Sequence, residues 1–141
     1  MKLSTAIVRR AIALSCAATL LACGLARAAD DPQTSARNIL DATGIQGGLI
    51  VHIGCGDGRL TAALRASDGY LVHALDSNAQ NVAAARKHLH DAGLYGPVSV
   101  DTLAGNRLPY ATNLVNLVVS EDLGDISMKE VLRVLVPGGV A

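Results

Sequence analysis

The sequence is poor in aromatic residues and has no excess of charge of either sign. Its 141 residues include three tyrosines but no phenylalanine or tryptophan, and the formal net charge is zero. A neutral balance argues against binding nucleic acid through a basic surface. A hydrophobic fraction of 50% argues against disorder. The composition therefore favours a folded domain.

Cysteine is also scarce. Cys16 and Cys23 lie near the N-terminus, in a segment that we interpret as a leader, so Cys55 is the one cysteine left in the rest of the chain. One cysteine cannot form an internal disulfide, and no Cys-x-x-Cys motif or Cys/His cluster indicates a metal. His88 and His90 are two residues apart on a predicted helix and do not share a face. We therefore predict no metal site, and we expect Cys55 to act as a small filling residue rather than a reactive thiol.

Residues 1–28 have the pattern of a secretory signal peptide. Three basic side chains in the first ten residues precede an apolar stretch from 11 to 26, and Ala26-Arg27-Ala28 is a small-x-small cleavage site. The apolar stretch is short for a membrane-spanning helix, which needs about 20 residues. We therefore expect export to the periplasm or cell envelope.

Two other interpretations of this leader stay open. Leu20-Leu21-Ala22-Cys23-Gly24 resembles a lipobox, in which Cys23 would carry a lipid and make the protein a lipoprotein. The segment could also remain as an uncleaved anchor. Residues 29–34 are predicted to be a polar linker, and the folded domain is predicted to span 35–141.

The most informative motif is the stretch Leu49-Ile50-Val51-His52-Ile53-Gly54-Cys55-Gly56-Asp57-Gly58. An apolar run that breaks into G-x-G-x-G and then into a helix indicates a strand, a loop and a helix. Glycines are needed there because a Cβ would keep a ligand away from the backbone. Asp76 ends the next apolar run, where a carboxylate can accept both hydroxyls of a ribose. These features predict an adenosine-binding α/β fold.

The spacing of the glycines disfavours a dinucleotide. The dinucleotide fingerprint G-x-G-x-x-G would place its third glycine at Arg59, whereas the third glycine here is Gly58. The G-x-G-x-G form instead resembles motif I of the class I S-adenosylmethionine-dependent methyltransferases. Further segments resemble that family in the same order: Val72–Asn78 its second strand, Asn106–Tyr110 its LPF loop, Asn116–Ser120 its fourth strand and Glu130–Gly139 its RVLKPGG turn.

The resemblance implies a Rossmann-like, doubly wound parallel sheet. The pattern predicts strands at Gly48–Ile53, Tyr70–Leu75, Val98–Val100 and Leu114–Val119, and helices at 34–42, Arg59–Ala66, 78–92 and from Ser127 to Pro137. By resemblance the family sheet has about seven strands. Gly138–Ala141 has the pattern of another strand that is cut off, so we expect a domain truncated after its fourth strand and following helix. A downstream part of the same gene product is then expected.

The implied cofactor is S-adenosylmethionine. By resemblance, Gly54, Gly56 and Gly58 would pass under its methionine and ribose parts, and Asp76 would bind the ribose. Asp101 and Asn106 would flank the adenine edge, where each is either an acceptor for the exocyclic amine or a loop residue without contact to the cofactor. The candidate cofactor-binding residues are His52, Gly54, Cys55, Gly56, Asp57, Gly58, Asp76, Ser77, Asn106 and Ser120. The residue that acts as catalytic base is not identified. Glu121 and Asp122 are either a pair of carboxylates that acts as general base or part of a solvated loop.

The chain departs from the family pattern at three acidic positions. His52, Ala104 and Asn116 stand where many family members carry a carboxylate. We therefore expect the positive charge of the cofactor to be poorly compensated.

Two functions follow from these observations. The first is a methyltransferase acting on an unidentified small molecule, without nucleic acid as a partner. The second is an exported, non-catalytic binding or docking module, because the methyl donor is made in the cytosol. The sequence that follows the leader is also similar to methyltransferase-like segments that precede a PQQ-like β-propeller in large exported bacterial proteins. This similarity supports the non-catalytic module.

Overall fold

The computed structural model describes residues 31–141. The predicted leader and residues 29–30 of the predicted linker lie outside the described residues, so the leader remains a prediction. Residues 32–34, predicted as linker, are helical. None of the helices described is long and apolar enough to cross a membrane.

Strands and helices alternate along the chain. The elements are α1 Pro32–Thr43, β1 Gly48–Ile53, α2 Arg59–Leu64, β2 Tyr70–Asp76, α3 Ala79–Asp91, β3 Val98–Thr102, β4 Val115–Ser120, α4 Met128–Val134 and β5 Leu135–Val140. The five strands form one parallel sheet in the order β3-β2-β1-β4-β5. The predicted α/β, Rossmann-like fold is confirmed. The strand order reverses between β1 and β4, and such a switch point is where α/β sheets bind ligands.

Strand β1 lies at the centre of the sheet and is buried on both faces. Ile50 packs in a cluster with residues of α1, α2 and α3, whereas Val51 packs in a second cluster with residues of α4. Both side chains are fully buried. This explains why the run Leu49–Ile53 shows no alternation of polar and apolar residues.

Helix α1 begins earlier than predicted. Its N-cap is Asp31, whose carboxylate accepts a hydrogen bond from the backbone N–H of Thr34, and Pro32 occupies the first turn. The sequence contains this signal, since Asp followed by Pro is a favoured helix start. The predicted cap at Thr34 or Ser35 is therefore wrong.

The last predicted helix is too long. Helix α4 ends at Val134, and Leu135–Val140 forms β5 along β4 instead of continuing to Pro137. Pro137 has no N–H to donate, which an edge strand tolerates. The predicted capping box is only half formed: Ser127 accepts from the N–H of Glu130, but the Glu130 carboxylate accepts from the N–H of Leu108.

Candidate functional site

A cavity of about 460 Å³ lies at the carboxyl ends of β1 and β2. Four segments line it: the loop after β1, the end of β2 with the start of α3, the loop after β3 and the loop after β4. Among the predicted site residues, Gly54, Gly56, Asp76 and Ser77 line this cavity. We refer to it as the glycine-loop cavity.

The glycines of the loop have two different roles. Gly54 has a φ of +78°, and a Cβ built on it would meet no atom within 4 Å, so it would project into open space. A Cβ on Gly58 would lie 2.8 Å from the Cβ of Ala85 in α3. Gly58 therefore permits α2 and α3 to pack closely, and it does not line the cavity.

The Asp76 carboxylate is buried and already well bonded. It accepts hydrogen bonds from the N–H of Gly56 (3.1 Å), the N–H of Asn78 (2.8 Å) and the side-chain amide of Asn81 (3.1 Å). Asp76 thus holds the glycine loop against the start of α3. A carboxylate has about four acceptor positions, so this arrangement leaves about one for a ligand. The predicted acceptance of both ribose hydroxyls would require one of these bonds to break.

Cys55 and Asp57 belong to the loop but do not line the cavity. Cys55 is buried, and burial, with a smaller effect of the Asp76 charge, raises the pKa of its thiol to about 11. A thiol with this pKa stays protonated at neutral pH and is a poor nucleophile. Asp57 accepts from the N–H of Arg59 at the start of α2 and also pairs with its guanidinium.

Two further carboxylates line the glycine-loop cavity. Asp122 and Asp125 lie in the loop after β4 and are exposed residues that line the cavity together with Asp76, whereas no lysine or arginine of residues 31–141 lines it. Asp122 is held by the N–H of Gly124 at 2.9 Å, and Ser120 donates to its carbonyl at 2.7 Å. From the sequence, Asp122 is a candidate only as one of two carboxylates acting as general base, and Asp125 is not a candidate. Their position directly after a strand at the carboxyl edge is the signal that could have found them.

His52 and Ser120 line a separate cavity of about 540 Å³. This α1-side cavity lies between α1, α2 and β4, and none of residues 31–141 lines both cavities. The Nδ1 atom of His52 is 2.8 Å from Oγ1 of Thr61. Burial lowers the pKa of His52 to about 4, against the opposing effect of the Asp76 charge. The His52 imidazole is therefore neutral at pH 7.

The remaining predicted residues lie away from the glycine-loop cavity. Asn106 is exposed and does not line it, although its loop neighbours Leu103 and Gly105 do. Asp101 bonds His73 and Arg86 instead of facing the cavity.

Asn116 has a structural role at the opposite edge of the sheet. It lies at the start of β4, where its Oδ1 accepts from the N–H of Leu49 at 2.9 Å. The expectation that a neutral residue at 116 weakens compensation of the cofactor charge is therefore wrong, because this position is at the amino end of the strand.

Comparison with known proteins gives the same fold. Residues 50–139 match the family described as methyltransferase domain. No match was found among curated proteins. A putative S-adenosyl-L-methionine-dependent methyltransferase from Methanococcus maripaludis is 28% identical, with a TM-score of 0.68, over 77% of this chain and 52% of that chain.

Two more distant structures share the fold alone. The geranyl diphosphate C-methyltransferase from Streptomyces coelicolor A3(2), solved with Mg²⁺, geranyl diphosphate and S-adenosyl-L-homocysteine, is 18% identical with a TM-score of 0.66, over 74% of this chain and 42% of that chain. The cyclase SpnF is 23% identical with a TM-score of 0.67, over 77% of this chain and 43% of that chain. The chain spans about half the length, or less, of these structures. Because the family match covers most of the described residues, the chain belongs to the methyltransferase domain family.

Proposed function

We propose that the glycine-loop cavity binds S-adenosylmethionine and that the protein transfers a methyl group to a small-molecule acceptor. The observation that carries the proposal is the set of carboxylates around the cavity: Asp76, Asp122 and Asp125, with no lysine or arginine of the described residues beside them. Complementary charge favours a ligand with a sulfonium and an ammonium group. A dinucleotide is disfavoured, because its phosphates would lie near three carboxylates without a lysine or arginine of the described residues to offset the repulsion.

The backbone of the site supports the same ligand. Gly54 leaves open space above the loop, so an adenosine group can approach the chain closely. Asp76 has about one free acceptor position for a ribose hydroxyl. Leu103 provides an apolar surface on the side of the cavity that follows β3.

The chemistry required of the protein is modest. When bound, the cofactor supplies an activated methyl group, and transfer to a nucleophile is a direct displacement. The residues of the chain have to hold the two reactants in line and exclude competing water. The buried Asp76 bonds keep the loop rigid before the ligand binds, which lowers the ordering cost of binding.

The proposal is tested by calorimetric titration of S-adenosylhomocysteine into the full chain. We expect saturable binding that weakens in Asp125→Asn. Asp91→Asn is the matched control, because Asp91 is a carboxylate on the exposed side of α3, paired with Lys87, away from the cavity. No binding by the wild type, or equal weakening by both substitutions, would contradict the proposed site.

The Asp76 geometry gives a sharper prediction about the ribose. Since about one acceptor position is free, removing one of the two ribose hydroxyls from an adenosine probe should weaken binding about tenfold or more, and removing the other should have little effect. Titration with 2′-deoxyadenosine and 3′-deoxyadenosine measures this difference. Equal losses for the two probes would show that Asp76 releases a protein donor and accepts both hydroxyls.

A further inference from the structure

A chain of hydrogen bonds runs across the sheet outside both cavities. The phenol oxygen of Tyr110 is 2.7 Å from Nδ1 of His73 in β2, and Nε2 of His73 is 3.2 Å from Oδ2 of Asp101 in β3. The two rings meet edge to face, with centroids 5.7 Å apart. Arg86 of α3 completes the chain by donating to Asp101 at 2.7 Å.

The direction of these bonds is fixed by their chemistry. A carboxylate accepts and does not donate, so Nε2 of His73 carries the hydrogen, and in the corresponding uncharged tautomer Nδ1 is the acceptor. The Tyr110 hydroxyl is then the donor to Nδ1. Burial, with a smaller effect of the Asp101 charge, raises the pKa of Tyr110 above its ordinary value, so the hydroxyl keeps its proton.

Tyr110 ends the segment that forms one side of the glycine-loop cavity. This 103–110 loop contributes Leu103 and Gly105 to the lining. At its start, the N–H of Leu103 donates to the carbonyl of Asp76 at 2.9 Å. Residues 104–107 between the two ends are exposed. The position of the lining residues therefore depends on how firmly the far end of the loop is held.

Helix α4 holds the backbone of that far end: Glu130 accepts from the N–H of Leu108 at 2.9 Å, and Arg133 donates to the carbonyl of Leu108 at 3.2 Å. Arg133 of α4 donates to the carbonyl of Tyr110 at 2.9 Å, which fixes its backbone. The bond to His73 fixes its side chain on the sheet. We propose that Tyr110 and His73 are positioning residues for the cofactor: their hydrogen bond holds the 103–110 loop in the form that receives the adenosine group. This inference rests on the proposed function.

The test removes the hydroxyl alone. Tyr110→Phe deletes the bond to His73 and keeps the ring. Tyr70→Phe is a matched control, because its hydroxyl makes one hydrogen bond of 2.9 Å, to the carbonyl of Ile45, on the other face of β2. We expect both variants to lower the melting temperature, and only Tyr110→Phe to weaken binding of S-adenosylhomocysteine, by about fivefold.

Two further readouts separate positioning from general stability. The amides of Leu103, Leu108 and Tyr110, which are hydrogen-bonded at the two ends of the loop, should exchange hydrogen faster in ligand-free Tyr110→Phe, and at the wild-type rate in Tyr70→Phe. In a His73→Ala background, Tyr110→Phe should cause no further loss of affinity, because the hydroxyl acts through His73.

The possible failures are distinguishable. If the wild type does not bind S-adenosylhomocysteine, the proposed function is overturned and this inference with it. If the wild type binds and Tyr110→Phe binds equally well, or Tyr70→Phe loses as much affinity, the positioning role is overturned and the proposed function stands.

Discussion

At the scale of single residues, Gly58 shows how the glycine motif serves packing as well as ligand binding. Its φ is +81°, and a Cβ would collide with Ala85 at 2.8 Å. Gly93 also has a positive φ, +67°, but a Cβ there would meet no atom within 4 Å. An alanine at Gly93 would therefore introduce backbone strain alone, whereas an alanine at Gly58 would introduce strain and a steric collision.

We predict that Gly58→Ala destabilises the protein more than Gly93→Ala. The latter should cost about 1 kcal/mol of the free energy of unfolding through strain. The former should cost roughly 2–4 kcal/mol, since strain and overpacking add. Urea denaturation of the two variants measures both losses. Equal losses would mean that α2 and α3 move apart easily.

The buried imidazole of His52 makes stability depend on pH. The unfolded chain gains a proton near the ordinary pKa of 6.5, whereas the folded protein resists protonation until about pH 4. The contribution of His52 to the free energy of unfolding should therefore be constant above pH 6.5 and fall as the pH decreases from 6.5 to 4. The total fall is up to about 3 kcal/mol, because one pKa unit corresponds to roughly 1.4 kcal/mol.

The control is His52→Asn, which can bond Thr61 but does not titrate. Urea denaturation from pH 7 to pH 4 should give a smaller slope in this variant than in the wild type. If the free energy of unfolding has the same slope against pH in both proteins, the other histidines cause the pH dependence. In that case His52 would be accessible to water in the native state.

The glycines and Asp76 could be placed at the ligand edge from sequence, because glycine spacing and strand order determine where that edge lies. Asp122 and Asp125 follow β4 at the same edge, so the sequence could have placed them near it, but it does not show that the loop after β4 lines the glycine-loop cavity. The absence of acids at His52 and Asn116 suggested weak charge compensation. In the structure, carboxylates of another loop line the glycine-loop cavity instead.

At the scale of elements, α4 connects the end of the sheet to the 103–110 loop. Glu130 pairs with Arg133 at 2.6 Å, and the same pair bonds the backbone of Leu108 on both its N–H and its carbonyl. Hydrogen bonding from Arg133 is the largest cause that lowers the pKa of Glu130 to about 2. One turn of helix thus fixes a loop that is distant in sequence.

This pair predicts a second region of pH dependence. The pKa of Glu130 is lower in the folded state, so its contribution to stability is complete above the ordinary value of 4.5 and is lost as the pH falls towards 2. Glu130→Gln should lower the free energy of unfolding by a constant amount above pH 4.5 and should remove this part of the acid denaturation curve below it. Urea denaturation below pH 4.5 checks this. An identical acid curve in the variant would show that Glu130 titrates normally.

The central elements were predictable, and the last ones were not. Strands β1 and β2 follow directly from apolar runs bounded by glycines. Residues Leu135 and Val136 continue the apolar pattern of α4, so local periodicity does not show where the helix ends. The end is set by pairing of β5 with β4, which is a tertiary interaction.

At the scale of the whole molecule, the sheet reverses its strand order between β1 and β4, and the glycine-loop cavity lies at the carboxyl edge of the same sheet. Export through residues 1–28 stays a prediction made from the sequence. Fractionation of cells expressing the full-length gene product would test it, with Ala28→Asp expected to block processing if cleavage follows Ala28.

The most direct test of the central claim compares two ligands that differ by one charge. S-adenosylmethionine carries the sulfonium, and S-adenosylhomocysteine does not. If Asp122 and Asp125 compensate that charge, replacing both with asparagine should weaken binding of S-adenosylmethionine about fivefold more than binding of S-adenosylhomocysteine, measured by calorimetry on the full chain. Equal losses, or no binding of either ligand by the wild type, would contradict the account and favour a domain that keeps the fold without the reaction.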